Sequence, residues 1–215
     1  MSEKRSSLGG LHVLLGVTGG IAAYKAVDLA SRLRRAGAKV NTIMTENACR
    51  LVCPKSFEVV TGSAVLTGLW EDRPVYSLWD EQAEGGKPRH VDLADWADIV
   101  VVAPATANII GKAANGICDD LLSTVLCAAS AKSVLLAPAM NNNMWANVAV
   151  QRNVQTVKKM GFELVGPVRG RLACGTEGWG RMSEPQEIME TMEKIASKIK
   201  KHEARNPKSE TNSKS

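Results

Sequence analysis

The sequence predicts an α/β fold, in which a buried parallel β-sheet is covered by helices on both faces. Two observations support this prediction. Short, nearly all-apolar segments recur along the chain, as is typical of parallel strands that are buried on both faces. Segments with apolar residues at helical spacing lie between them. Because strands alternate with helices, we expect parallel neighbours joined by right-handed crossovers.

The elements follow in a regular order. The first predicted strand, LHVLLGV, leads into a glycine-rich turn, and the amphipathic helix after it closes at Gly37. The predicted strands span residues 11–17, 38–45, 98–105, 133–139 and 162–168, and the predicted helices span residues 19–37, 119–131, 146–161 and 184–201. The sequence shows no internal repeat and no second domain. The predicted architecture is therefore a single-domain, three-layer fold of Rossmann-like or flavodoxin-like type.

The composition limits the class of protein. The chain has 215 residues, of which 45% are hydrophobic, so it can bury a sizeable core. No apolar run approaches the roughly 20 residues of a membrane span, and the N-terminus lacks the apolar core of a signal peptide. The 5 cysteines are scattered and odd in number, which favours a reducing, cytoplasmic setting. Cys49 and Cys53 have no second ligand pair, so no metal site is expected.

The net charge of +5 is concentrated in the tails. Only 4% of residues are aromatic, and they are not interleaved with basic residues, so nucleic-acid binding is not expected. The low-complexity ends predict a disordered N-terminus over residues 1–9 and a disordered polar tail over residues 202–215. The folded domain is predicted over residues 10–201.

Unusual residues follow the predicted strands at their carboxyl ends. The segments are GVTGG, MTENA, APATAN and APAMNNNMW. Ligands of open α/β sheets bind at this edge, so these segments predict one binding site.

The first of these turns predicts an anion site. Gly16, Gly19 and Gly20 allow backbone N–H groups to approach a phosphate at a helix N-terminus, although a tight turn without ligand would use the same glycines. The second strand ends at Thr45, where a dinucleotide site usually has an acidic residue, and this favours a mononucleotide such as FMN over NAD. Thr106 and Asn108 could hold phosphate or ribitol, or could cap the next helix.

Three motifs carry a resemblance to a known family. APAMNNNMW resembles the P-x-M-N-x-x-M-W motif of the homo-oligomeric flavin-containing cysteine decarboxylases, and PATAN is similar to their P-A-S-A-N-T motif. RLACGTEGWGRMSEP resembles the A-C-G loop of those members that decarboxylate 4′-phosphopantothenoylcysteine in coenzyme A synthesis. Thr176 departs from the pattern, because many members have Asp after A-C-G.

The resemblance implies the functional residues. It assigns catalysis to His90 and Cys174, substrate binding to Asn141, Met144 and Arg181, and no metal. It assigns binding of the cofactor FMN to Gly19, Gly20, Ile21, Thr45, Asn47, Thr106, Ala107, Asn108, Ile109 and Ala139. From the residues alone, Asn141 could equally be a helix cap, and His90 a surface or capping residue. Cys118 is expected to lie in the core.

The implied activity is FMN-dependent decarboxylation of 4′-phosphopantothenoylcysteine to 4′-phosphopantetheine, in a homo-oligomer built of trimers. Two alternatives stay open: a peptidyl-cysteine decarboxylase, and a flavin-bound regulatory subunit of the same fold. Many relatives continue into a synthetase domain that joins cysteine to phosphopantothenate. We therefore expect either a separate phosphopantothenate-cysteine ligase as pathway partner, or a chain that is a fragment.

Overall fold

A computed structural model describes residues 6–69, 89–129, 133–171, 175 and 177–205. Its centre is a six-stranded sheet in the order β3-β2-β1-β4-β5-β6, in which all paired strands are parallel. The strands are β1 His12–Val17, β2 Lys39–Met44, β3 Val65–Leu66, β4 Ile99–Ala105, β5 Ser133–Pro138 and β6 Glu163–Leu164. This arrangement confirms the predicted fold class.

Helices cover both faces of the sheet. They are α1 Ala23–Arg35, α2 Glu46–Cys49, α3 Pro54–Thr61, α4 Arg89–Trp96, α5 Ala107–Asn115, α6 Leu121–Ala128, α7 Asn142–Ala146, α8 Val148–Lys159 and α9 Pro185–Arg205. One core cluster joins α1, α3 and α9 to one face of the sheet, and a second joins α4, α5, α6 and α8 to the other. Burial of these apolar faces supplies most of the stability.

Local sequence explains where helices begin and end. The α1 helix buries Ala26, Leu29 and Leu33 at the spacing of one helical face. The α6 helix begins with a capping box, in which Asp120 accepts from the Ser123 amide and the Ser123 hydroxyl accepts from the Asp120 amide. The α3 helix ends at Gly62, whose φ of 72° is the left-handed geometry that glycine adopts at low cost.

The structure differs from the predicted boundaries at several points. Leu8 is fully buried and the Ser6 hydroxyl donates to Glu193, so ordered structure begins within the predicted N-terminal tail. The α9 helix continues past the predicted end of the domain. The predicted fifth strand ends after two residues as β6. Pro167, which cannot donate to a ladder, separates it from the next strand.

Two further strands form a hairpin outside the main sheet. They are β7 Val168–Arg171 and β8 Glu177–Arg181, paired antiparallel. The sequence analysis did not predict this hairpin. In the described part of the chain, no helix combines the length and apolarity needed to span a membrane.

Candidate functional site

The topology creates a crevice at the carboxyl edge of the sheet. The chain leaves β1 towards β2 on one side, whereas β4 lies on the other side of β1. Ligands of open α/β sheets bind at such a switch point. A cavity of about 630 Å³ lies there, which is within the range of small-molecule sites. It is lined by Gly19, Gly20, Ile21, Ala22, Tyr24, Lys25, Thr106, Ala139, Met140, Asn141, Met144, Arg171, Gly180, Arg181 and Met182.

We call the residues that follow β1, β4 and β5 in this lining the sheet wall, and Arg171, Gly180 and Arg181 the hairpin wall. The sheet wall brings together Gly19, Gly20, Ile21, Thr106 and Ala139, which were predicted to bind the cofactor. It also carries Asn141 and Met144, which were predicted to bind the substrate. Arg181, the remaining predicted substrate residue, lies on the hairpin wall.

Thr18 fastens two loops of the sheet wall to each other. Its side chain is 2% exposed, and its hydroxyl donates to the Pro104 carbonyl at 2.7 Å. The same oxygen accepts from the Thr106 amide at 3.2 Å. The loops after β1 and β4 are therefore held in a fixed relation. The sequence analysis missed Thr18 because a threonine just after a strand is common and carries no motif.

Gly19 allows a close approach between the first turn and α2. A Cβ at this position would lie 2.4 Å from the Asn47 Cβ and 3.1 Å from the Asn47 carbonyl carbon. Any side chain at Gly19 would therefore push the turn away from α2. Thr45 caps α2, since its hydroxyl oxygen accepts from the Ala48 amide at 3.4 Å. Neither Thr45 nor Asn47 lines the cavity in a single chain.

Asn141 caps a helix and also lines the cavity. Its Oδ1 accepts from the Asn143 amide at 2.8 Å, as the cap of α7. That bond uses the acceptor oxygen of the side-chain amide, whose nitrogen is a hydrogen-bond donor. The Met144 side chain beside it is 47% exposed.

Charges gather where α1, β8 and α9 meet. Glu184 accepts from Lys25 at 2.8 Å and also pairs with Arg181. The hydrogen bond from Lys25 lowers the pKa of Glu184 most, burial opposes it, and the hydrogen bond from Arg181 lowers it further, so this pKa lies below its usual value. Arg171 forms no ion pair with the described residues. Lys25, Tyr24 and Arg171 are further lining residues that the sequence analysis did not single out.

Several predicted residues lie away from this cavity. Ile109 is 1% exposed and packs in the second core cluster, and it is not part of the cavity lining. Ala107 and Asn108 begin α5 but are not part of the lining. Cys118, expected in the core, is exposed between α5 and α6.

The two predicted catalytic residues are not in the lining either. His90 is half-buried at the start of α4 and does not contact the cavity of its own chain. Cys174 and the neighbouring Thr176 lie outside the described residues. His12 stacks on Trp96 at 4.7 Å between ring centroids, at the amino end of β1. In the described ranges, no group of acidic, histidine or cysteine side chains could hold a metal ion.

A parallel α/β sheet with a glycine turn and a cavity at its switch point is typical of nucleotide- and flavin-binding proteins. The chain belongs to the Flavoprotein family, whose sequence model matches residues 1–197.

Among curated proteins, the chain is similar to the coenzyme A biosynthesis bifunctional protein CoaBC of Bacillus subtilis (46% identity over 183 residues, 85% of this chain and 42% of the relative). The corresponding CoaBC of Haemophilus influenzae is 43% identical over 181 residues, which cover 84% of this chain and 42% of the relative. The chain thus spans less than half the length of these relatives.

Among solved structures, a PPC decarboxylase mutant complexed with pantothenoylaminoethenethiol matches with a TM-score of 0.74 and 32% identity, over 87% of this chain and 98% of that chain. The FMN-dependent cysteine decarboxylase SpaF matches with a TM-score of 0.72 and 34% identity, over 88% and 99% of the two chains. The FMN-binding protein AtHal3 matches with a TM-score of 0.72 and 32% identity, over 87% and 97%.

Proposed function

We propose that this chain is an FMN-dependent decarboxylase that converts 4′-phosphopantothenoylcysteine to 4′-phosphopantetheine in coenzyme A biosynthesis. One observation carries the proposal. Asn141 and Met144, which belong to the most specific motif of the sequence, share one cavity with the glycine turn after β1. The similarity to CoaBC proteins and to a PPC decarboxylase supports the substrate, and the similarity to FMN-binding structures supports the cofactor.

The residues of the sheet wall fit a flavin mononucleotide. Gly19 and Gly20 present backbone at the start of α1, where N–H groups favour an anion. The lining is mainly apolar around Ile21, Ala139 and Met140, as a planar ring system requires. When bound, FMN supplies a reversible two-electron oxidation of the cysteine side chain of the substrate.

Asn141 is proposed to hold the carboxylate of the substrate. A neutral amide orients the carboxylate without strongly stabilising its charge, which must be lost when carbon dioxide leaves. Met144 lies beside it and excludes water from the reacting carbon.

His90 is proposed to act as the base of the oxidative step, from a neighbouring subunit. Its distance from the cavity of its own chain is explained if subunits assemble as trimers or multiples of trimers, with the site at their contact. Exposed apolar side chains around the cavity, namely Ile21, Tyr24 and Trp179, support such a contact. Cys174 is proposed to supply the proton of the final reduction, on the basis of the A-C-G loop alone.

The proposed setting is the reducing cytoplasm, with the substrate supplied by a phosphopantothenate-cysteine ligase. Among the described residues, Cys53, Cys118 and Cys127 are free thiols, which is compatible with that compartment. Peptidyl-cysteine decarboxylation stays as the second candidate, because SpaF, a cysteine decarboxylase, matches about as well as the PPC decarboxylase.

The test is a product assay with the protein reconstituted with FMN. Carbon dioxide release is measured with 4′-phosphopantothenoylcysteine and with a peptide that ends in cysteine. We expect release from the phosphorylated substrate; release from the peptide alone would select the second candidate, and release from neither would refute a decarboxylase.

The role of His90 is tested by His90→Asn, which keeps polarity but removes the base. We expect a loss of carbon dioxide release of at least about 100-fold with flavin retained. His12→Asn is the matched control, since His12 lies at the amino end of the sheet. Light scattering on the flavin-loaded protein tests the assembly, and an active monomer would contradict it.

A further inference from the structure

The β8 strand lies directly against the segment that joins β5 to α7. The Met140 amide donates to the Gly180 carbonyl at 2.9 Å. The approach is so close that a Cβ on Gly180, whose φ is 136°, would lie 2.2 Å from the Met140 oxygen. One residue before Gly180, the Trp179 amide donates to the Asn142 Oδ1 at 3.1 Å.

We propose that Asn142 is a positioning residue, which holds β8 so that the hairpin wall stands at its place in the cavity. This inference rests on the proposed function, because the consequence that matters is substrate binding. The bond between Met140 and Gly180 joins backbone groups, so it needs glycine at position 180 but no side-chain acceptor. The bond from Trp179 is different, because it needs an acceptor of the right length at position 142.

Other contacts of β8 with the described residues include the backbone bond from Met140 and the ion pair between Arg181 and Glu184. The Trp179 side chain is 53% exposed, so it adds little packing between β8 and the rest of the domain. A Cβ on Gly178 would lie 2.7 Å from the Cγ and Oδ1 of Asn142, so the strand rests on this side chain as well as bonding to it. Arg181 and Gly180, which line the cavity, immediately follow these contacts along the strand.

The two neighbouring asparagines make a matched comparison. Asn142 is half-buried against β8, whereas Asn143 is exposed. The Asn143 backbone amide donates to the Asn141 Oδ1, whereas the Asn143 side chain forms no hydrogen bond with the described residues. Both lie in the first turn of α7, so alanine changes helix propensity similarly at the two positions. A difference between the two variants therefore reports the contact with β8.

The experiment measures three properties of the FMN-loaded protein: amide hydrogen exchange at Trp179, the kinetic constants KM and kcat for 4′-phosphopantothenoylcysteine, and flavin content. Asn142→Ala should speed exchange at Trp179 and raise KM about 2- to 10-fold, as loss of one hydrogen bond implies. Flavin content should not change, because Asn142 is not part of the sheet wall. Asn143→Ala should match the wild type in all three.

Two further variants separate a specific contact from general loosening. Asn142→Asp keeps the acceptor oxygen and should restore slow exchange at Trp179 in the substrate-free protein. Gly178→Ala should itself speed exchange, because its methyl group meets Asn142. That effect should shrink in the Asn142→Ala background, where the obstructing side chain is gone.

The proposal is overturned if Asn142→Ala leaves exchange at Trp179 unchanged, or if exchange rises while KM stays at the wild-type value. It is also overturned if Asn143→Ala behaves like Asn142→Ala. If the wild type releases no carbon dioxide, the proposed function fails, while exchange at Trp179 still decides whether Asn142 holds β8.

Discussion

The sheet wall and the hairpin wall of the cavity are held in different ways. The sheet wall consists of the ends of buried parallel strands, and Thr18 ties two of its loops together through a buried hydroxyl. The hairpin wall belongs to a two-stranded ribbon outside the main sheet, which docks through glycine backbone and Asn142. An isolated hairpin is marginally stable, so its position depends on a few contacts. The sheet wall is therefore suited to a resident cofactor, and the hairpin wall to a substrate that enters and leaves.

This comparison predicts that substitutions on the hairpin side change the reaction of the substrate, whereas substitutions on the sheet side change flavin binding and stability.

The largest effect is expected for Cys174→Ser, in the segment between β7 and β8. A serine hydroxyl is a far weaker acid than a thiol, whose ordinary pKa is about 8.5. Formation of the reduced product should fall by about 100-fold or more, while carbon dioxide release and flavin content persist.

Mass spectrometry of the released product checks this prediction. We expect an oxidised enethiol that lacks one pair of hydrogen atoms relative to 4′-phosphopantetheine. Cys118→Ser is the control, because Cys118 is an exposed thiol between α5 and α6 and is not part of the cavity lining. Fully reduced product at the wild-type rate would show that Cys174 is not the proton donor.

The next effect concerns the sheet wall. Gly19→Ala places a methyl group 2.4 Å from the Asn47 Cβ, so either the turn or α2 must shift. Overpacking of this kind costs about 1–3 kcal/mol, which corresponds to flavin binding about 5- to 150-fold weaker if the turn shifts. Titration of the apoprotein with FMN measures this.

Gly111→Ala is the control for Gly19→Ala. Gly111 lies inside α5, and its nearest neighbour would be an Asn153 nitrogen at 3.4 Å, a distance to which a side-chain end can adjust. Alanine there should leave flavin affinity unchanged and stabilise the helix by about 0.5–1 kcal/mol. Equal flavin affinity in Gly19→Ala and the wild type would remove the turn from the proposed cofactor site.

The same difference between the two walls determines which strands could be predicted from the sequence. Strands β1, β4 and β5 were predicted almost to the residue, because burial on both faces requires continuous apolar runs. The hairpin was not predicted, because β7 and β8 carry three glycines and no apolar alternation. Its pairing depends on tertiary contacts with Met140 and Asn142, which no local pattern encodes.

Prediction of the site was uneven for a related reason. Motif resemblance identified Asn141 and Met144, which the structure brings to one cavity. It assigned Ile109 to the cofactor, although helical periodicity turns that side chain into the core. Thr18 was missed, since its importance arises only when the loops after β1 and β4 meet.

Thr18→Val tests whether the sheet wall is as rigid as we infer. Valine has a similar shape but leaves the Pro104 carbonyl and the Thr106 amide without the bonds that the hydroxyl provides. Unsatisfied buried groups cost about 1–3 kcal/mol. We expect the melting temperature to fall by about 2–4 °C for each kcal/mol, as measured by thermal unfolding. Thr191→Val, which loses only a hydroxyl on the exposed side of α9, should change little; equal losses would contradict the argument.

The smallest effect concerns Glu184, which links the two walls by pairing with Lys25 of α1 and Arg181 of β8. Its pKa in the folded protein is lowered, chiefly by the hydrogen bond from Lys25, so its contribution to stability is present above the unfolded-state pKa of about 4.3. That contribution is lost as the pH falls through the lower, folded-state pKa. Because the Glu184 side chain is 44% exposed, solvent screening limits the contribution to less than about 1 kcal/mol.

In urea unfolding, Glu184→Gln should therefore be slightly less stable than the wild type at pH 7, and the difference should shrink as the pH falls below about 4. Glu190→Gln, whose carboxylate accepts from Gln186 rather than from a cation, should show no such trend. A Glu184→Gln difference that is independent of pH would mean that the two cations do not act on this carboxylate. The backbone bond between Met140 and Gly180 and the contact with Asn142 would then remain as links between the two walls.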